Sequence, residues 1–259
     1  MLPEISEFSF GYAVTTELIR DYPIELIGAP MFPTQVQEGK KGGYDVKLPR
    51  RAVPLFLQFK RSDWMKRASA AQANVVGSPH YRMHLRPARH SQQHSLLLEL
   101  EGSGEDVYYA TPRFHTAEEL DNYYLAGGVV EQTSFIPPSW IGPLPDVRDH
   151  HIAISIDDTQ RRFCPRHEKK IRSMPSRRVV EERVFAAARQ RGQELNEGFF
   201  RSLGDRILAR YLESVPAHGR EQRERAQRVR SERSPSNYSR EVAQMLYGCE
   251  LLVAVAPPA

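Results

Sequence analysis

Cysteine is scarce in this chain: Cys164 and Cys249 are the only two in 259 residues, and they lie far apart. That supply excludes a disulfide framework and suits a reducing compartment. No apolar run approaches the roughly 20 residues that a membrane helix needs, so no membrane association is expected. The first residues, MLPEISEFSFGYAV, lack a basic stretch followed by an apolar one, so no secretory signal is expected and a cytoplasmic location is. A phosphate-binding loop of the form GxxxxGKS/T is missing, as are internal repeats and low-complexity tracts. No Ser-His-Asp order suggesting a hydrolase triad can be picked out.

What remains is a globular composition. Hydrophobic residues make up 40% and charged residues 26%, enough for one sizeable core with or without a small appendage. The net charge of +4 points only weakly to nucleic acid. Its distribution says more, because Arg161–Arg178 and Arg220–Arg233 hold much of the excess. Glu221, Glu224 and Glu232 dilute the second run, so a solvated helix competes with a nucleic-acid contact there.

Periodicity gives an order of elements. FSFGYAVTTELIRDY is a helix, with Phe10, Val14 and Leu18 on one face and Pro23 as its stop. IELIGAPMFPTQVQEG is extended but broken by prolines. GYDVKL and PLFLQF read as the strands of a hairpin joined by PRRAV. SDWMKRASAAQAN, capped by Ser62 and rich in Ala and Lys/Arg, reads as a helix. YRMHL is a strand, and HSLLLELEG and DVYYATPRF form a second hairpin across SGE. TAEELDNYYLAGG is a helix with Thr116 and Glu119 as a capping box. VEQTSFIPP and HHIAISID are strands, 176–213 is mostly helical, and 215–235 is polar, basic and mobile. YSREVAQMLYGCELLVAVA closes as a helix and a short strand. The expected fold is α/β: a mixed sheet flanked by helices over residues 1–170, then a mostly helical region over 171–259.

The stretch PLFLQFK poses a chemical question. Alternation along a strand puts Leu55, Leu57 and Phe59 on one face and Phe56, Gln58 and Lys60 on the other. Asp45 on the partner strand can sit across from that polar pair, so an acid, an amide and an amine converge at one end of the hairpin. The trio suits phosphodiester cleavage. A carboxylate binds a hard cation such as Mg²⁺, and glutamine adds an oxygen ligand without adding charge. Lysine orients the attacking water or neutralises charge in the transition state. Glu17 could give a second carboxylate if its helix face turns toward the hairpin.

Asp45 followed by Gln58-Phe59-Lys60 resembles the signature of the PD-(D/E)XK, or restriction-endonuclease-like, nuclease superfamily. The QxK form is most similar to the Mrr-like branch and to nuclease domains of bacterial anti-phage effectors. The resemblance covers about residues 5 to 115 and includes the glycine-led GGYDVKL, with Tyr44 where a proline often precedes the aspartate. It implies a restriction-endonuclease-like core and Mg²⁺- or Mn²⁺-dependent cleavage of DNA in antiviral defence. It further implies Asp45 and Gln58 as metal ligands, Glu17 as the acid of the first core helix, and Lys60 as the residue assisting the nucleophile.

Arg61, Arg82, Arg86 and Arg113 are the candidate nucleic-acid contacts, the last beside Phe114 and His115. His80, His84, His90 and His94 have spacings that could suit a metal, but no HExxH pattern supports one, and a phosphate-contacting or plain surface role is preferred. Cys164-Pro-Arg-His167 is half of a zinc site without its other half. The tyrosine pairs Tyr108-Tyr109 and Tyr123-Tyr124 suit a core better than a base-stacking platform. Two alternatives stand beside a nuclease: a catalytically inactive nucleic-acid-binding or assembly subunit, and a scaffold whose C-terminal helices bind a protein partner or a second copy.

Overall fold

The computed structural model describes residues 2–26, 48–70, 72–87, 91–144, 149–164, 169–215 and 219–256. The chain begins with α1 (Glu7–Asp21), capped by the Ser6 side chain, and β1 (Ile24–Leu26). There follow β2 (Leu48–Phe59), β3 (Ser62–Met65), α2 (Ala73–Val76), β4 (His80–Leu85), α3 (Gln93–Gly102) and β5 (Asp106–Pro112). Next come α4 (Ala117–Ala126), β6 (Thr133–Ile136), α5 (Pro138–Ile141), β7 (His150–Ser155), β8 (Arg161–Cys164) and β9 (Lys169–Ile171). A continuous helical stretch combines α6 (Ser176–Arg178), a π-helical segment (Val179–Val184) and α7 (Phe185–Arg191). The chain then forms β10 (Gln193–Leu195), α8 (Glu197–Ser214), α9 (Gly219–Glu232), α10 (Pro235–Tyr247) and β11 (Glu250–Val255).

The architecture is mixed α/β, with two sheets among the described residues. The first runs β1-β11-β2-β5-β6, with β10 also paired to β2. It is a mixed sheet, because β2 and β5 are parallel while the other pairs are antiparallel. The second, β3-β4-β7-β8-β9, is antiparallel throughout. Strand alternation divides the core in two. Val53, Leu55, Leu57 and Phe59 pack against Phe10, Val14 and Leu18 of α1 and Val180 and Val184 of the π-helical segment. Ala52 and Phe56 face the other way, into a cluster shared by α3, α8, α10 and the inner face of the second sheet. The face assignment read from PLFLQFK therefore holds. Gly11 explains how closely α1 can lie on β2: a Cβ there would stand 2.8 Å from the Phe59 ring.

Four local expectations are corrected by tertiary pairing. PRRAV is no turn but lies in the N-terminal half of β2, which pairs with β10; β11 pairs with Ala52–Leu57 and β5 with Leu55–Phe59. The extended SDWM is β3, not a helix, because it pairs with β4: Arg82 binds Asp63 at 3.0 Å and the Trp64 and Tyr81 rings lie 4.7 Å apart. Local helix propensity yields to such cross-strand contacts. HSLLLELEG forms α3, burying His94, Leu96, Leu97 and Leu100 at helical spacing. The stretch expected to be mobile includes helix α9, anchored by fully buried Ala226, by Val229, and by a bidentate Arg230–Asp205 pair at 3.0 Å.

The C-terminal region is not an appendage. Helices dominate it, yet β11 lies between β1 and β2 and β10 adds to β2. The last strand thus completes the sheet that the first 60 residues begin. Among the described residues no helix is long and apolar enough to cross a membrane.

Candidate functional site

Beta-strand alternation and the crossover through α3 place the polar residues. Gln58 and Lys60 leave the same face at the C-terminal end of β2, where the backbone N–H of Lys60 still bonds the Ala110 carbonyl of parallel β5. The connection back to β5 passes through α3, and its first residue, Gln93, arrives over both side chains. Gln93 Nε2 donates to Gln58 Oε1 at 2.8 Å, and Lys60 Nζ donates to Gln93 Oε1 at 2.9 Å. Gln58 Nε2 is fixed in turn on the Phe59 carbonyl at 3.1 Å. The result is a chain of three side chains with every amide group assigned a direction.

The wall behind them is the end of α10. Gly248 takes the left-handed conformation (φ +68°) that closes this helix. A Cβ there would lie 2.9 Å from Gln93 Nε2 and 3.3 Å from Gln58 Oε1, so both conformation and space call for glycine. The buried Cys249 thiol lies 4.0 Å from Gln58 Oε1, and burial pushes its pKa up, which keeps it a thiol. A groove of about 340 Å³ leads from Gln93, Tyr247 and Gly248 toward Gln222 of α9.

Burial lowers the pKa of the half-buried Lys60. The charge of Glu7 opposes that shift, and Arg86 reinforces it. Glu7 is thus an exposed carboxylate at the Lys60 end of the site, and its Oε1 accepts the Arg61 N–H at 3.4 Å. Arg61 and Arg86 are both exposed.

Of the four expected catalytic residues, Gln58 and Lys60 come together and Asp45 lies outside the described residues. Glu17 is a correction. It is buried near the far end of α1, on the opposite sheet face, where Oε2 accepts the Val129 N–H at 2.7 Å and Oε1 the Val130 N–H at 3.1 Å. Ten residues of helix separate it from Glu7, about 15 Å along the axis. Burial raises the Glu17 pKa against the pull of those two amides. The acid of α1 at the Lys60 end is instead Glu7, which begins the helical stripe continued by Phe10, Val14 and Leu18. Gln93 carried no signal in the sequence, because α3 read as a strand.

The stability of the variants should separate the two acids. Glu17→Ala leaves two buried N–H groups unsatisfied and should cost about 2–4 kcal/mol in urea unfolding. Exposed Glu7→Ala should stay within about 0.5 kcal/mol of the parent. Equal stability of the two variants would contradict these roles.

The remaining expectations sort by burial. Arg113 is a correction: its guanidinium is nearly buried, donating to the Ile156 carbonyl at 2.9 Å and to that of Glu131, so it serves the fold instead of a phosphate. Arg82 is tied to Asp63. His94 spans Tyr109 Oη (2.9 Å) and the Gly142 carbonyl (2.8 Å), a structural role. Arg89, His90 and His167 lie outside the described residues. Tyr108, Tyr109 and Phe114 are core residues. Among the described residues no group of three His, Cys, Asp or Glu side chains is placed to hold a metal ion. No protein-family model, curated protein or solved structure matches this chain.

Proposed function

We propose that the chain is a metal-dependent nuclease acting on DNA, built on a restriction-endonuclease-like core and serving bacterial defence against phage. The observation that carries this reading is the pairing of Gln58 and Lys60 on one face at the end of β2, joined through Gln93, with the Glu7 carboxylate at the same end, accepting the N–H of the adjoining Arg61. Asp45, Gln58 and, in place of Glu17, Glu7 would hold Mg²⁺ or Mn²⁺. Such an ion, when bound, neutralises phosphate charge and lowers the pKa of its water.

The chain's own groups do the rest. Lys60, steadied by Gln93 Oε1, directs its amine toward the attacking water and, when neutral, takes a proton from it. The water oxygen then bonds phosphorus as the phosphorus–oxygen bond to the leaving sugar breaks, and that oxygen is protonated from solvent. Exposed Arg61 and Arg86 flank the amine and would hold the DNA backbone.

The test is cleavage of plasmid DNA by the full chain with Mg²⁺ or Mn²⁺. Cleavage should stop with EDTA and fall to background in Asp45→Asn, whose melting temperature should be unchanged. No cleavage of DNA with either ion would defeat the proposal.

One observation favours a second reading. Gln58 Oε1, the oxygen offered to a metal, already accepts from Gln93. In that reading the chain is a catalytically inactive nucleic-acid-binding or assembly subunit. Salt-sensitive DNA binding without cleavage would support it. A protein partner or a second copy at the C-terminal helices is compatible with both readings.

A further inference from the structure

At the other end of β5 lies a cleft of about 350 Å³ that the proposed nuclease does not use. Strand β6 pairs with Tyr109–Pro112, and among the described residues no strand covers that edge of β5 from Asp106 to Tyr108. Glu101, Glu105, Asp106, Tyr108, Arg183 and Arg191 line the opening. Register places Asp106 beside Leu55 and Ala110 beside Phe59, so the cleft is about four residues, roughly 13 Å, along the strand from the Lys60 end.

The polar groups of the cleft divide sharply into spent and unspent. Each carboxylate already has a partner. Asp106 takes Arg191, Glu105 takes Arg206 at 3.0 Å, and Glu101 accepts the backbone N–H and hydroxyl of Ser139. Arg191 also donates to the Gly104 carbonyl. Two groups are left over. Tyr108 is 2% exposed and its hydroxyl has no partner among the described residues; the buried Nη1 of Arg183 has none either. A buried polar atom without a partner costs about 1–3 kcal/mol, so two at one opening call for an explanation.

Their geometry explains what they could take. The Arg183 guanidinium lies over the Trp140 ring at 5.3 Å and over the Tyr108 ring at 5.7 Å. Stacking on the rings fixes the guanidinium without using its N–H donors. Arg183 donates only, and the tyrosine hydroxyl can donate as well. One group that accepts from both and carries the charge to match is an oxyanion. The π-helical segment that presents Arg183 is an uncommon conformation, often found at functional sites.

We propose that this cleft is a binding site for the carboxylate or phosphate of a small metabolite, held by Arg183 Nη1 and the Tyr108 hydroxyl. Its volume suits a small ligand. The neighbouring anions oppose such a ligand, and Asp106 answers that objection. Burial pushes its pKa up to about 6, with Arg191 and Arg183 pulling it down and Glu105 and Glu101 pushing it up. Near neutral pH it can take up a proton as the anion arrives, removing one of the repelling charges.

The experiment uses the full chain carrying Trp64→Phe, so that Trp140, the second of two tryptophans, alone reports by fluorescence. Inorganic phosphate and malonate are the probes, with sodium chloride matching ionic strength. At least one probe should give a saturable change. Arg183→Gln should weaken it at least tenfold, Tyr108→Phe about fivefold, and exposed Arg189→Gln not at all. Response to phosphate alone identifies a phosphate-bearing ligand; response to malonate alone or to both identifies carboxylate recognition as well. No saturation by either probe would overturn the proposal. So would equal saturation in Arg183→Gln protein that keeps its parent melting temperature. Neither result touches the cleavage test at Lys60.

Discussion

Lys60→Met is expected to lower Mg²⁺-dependent DNA cleavage by about 10³-fold while leaving the protein folded. Methionine keeps most of the apolar stem, which packs where the half-buried lysine emerges from β2, and removes only the amine. The loss combines two effects. The amine no longer positions or deprotonates the water, and its charge is absent from the transition state. The same substitution should be neutral or slightly stabilising, because burial holds the lysine pKa below its ordinary value and a desolvated charge is removed.

The sign of the pH effect follows from that depression. Between the lowered value and the ordinary one near 10.5, the unfolded chain binds more protons than the native one. Stability therefore rises with pH through that interval, and this rise should vanish in Lys60→Met. Cleavage should climb in the same direction if the neutral amine accepts the proton. Single-turnover cleavage of a labelled duplex and urea unfolding at several pH values read both effects. Activity within tenfold of the parent would remove Lys60 from the mechanism.

How much of this was legible in the sequence depended on whether a residue's role was local. Strand alternation placed Gln58 and Lys60 on one face of PLFLQFK because a period of two needs no knowledge of the partner strand. The capping box at Thr116 and Glu119 was equally local, and the structure has both of its hydrogen bonds. The partners of β2 were not local. The sequence suggested a hairpin across PRRAV, whereas β2 pairs with distant strands, from Leu55 with Asp106 of β5 to Ala52 with Val255 of β11, and with β10 between them in the chain. Such pairings leave no mark at the turn signal they override. Glu17 failed for a related reason: helix phase put it near the core face, but which end of α1 meets the end of β2 depends on Gly11 packing against Phe59. Gln93 was hidden by the alternation of Leu and Glu in LLLELE, which mimics a strand while Leu96, Leu97 and Leu100 share a helix face.

Arg161 shows the same limit and carries the largest expected effect on stability. In the sequence it is one arginine of a basic run. In the structure it is fully buried on β8, with Nε donating to Asp158 Oδ1 at 2.5 Å and Nη2 to Oδ2 at 2.6 Å. Its Nη1 reaches the Phe135 carbonyl of β6 at 3.2 Å, so one guanidinium ties the second sheet to the first. Asp158 also accepts from the Ser134 hydroxyl at 2.9 Å. Arg161→Ala would leave a buried carboxylate with its principal countercharge gone, and should cost about 3–5 kcal/mol. For a chain of this size that is a fall of roughly 10 °C in melting temperature. Arg161→Lys should recover only part of the loss, since a single ammonium cannot reproduce the two parallel bonds. Pairing Arg161→Met with Asp158→Asn should recover more, because the buried charges are then removed together. Urea unfolding of the four proteins measures the series. A cost below about 1 kcal/mol for Arg161→Ala would mean that solvent reaches Asp158 and that the sheets are joined chiefly by their shared apolar core.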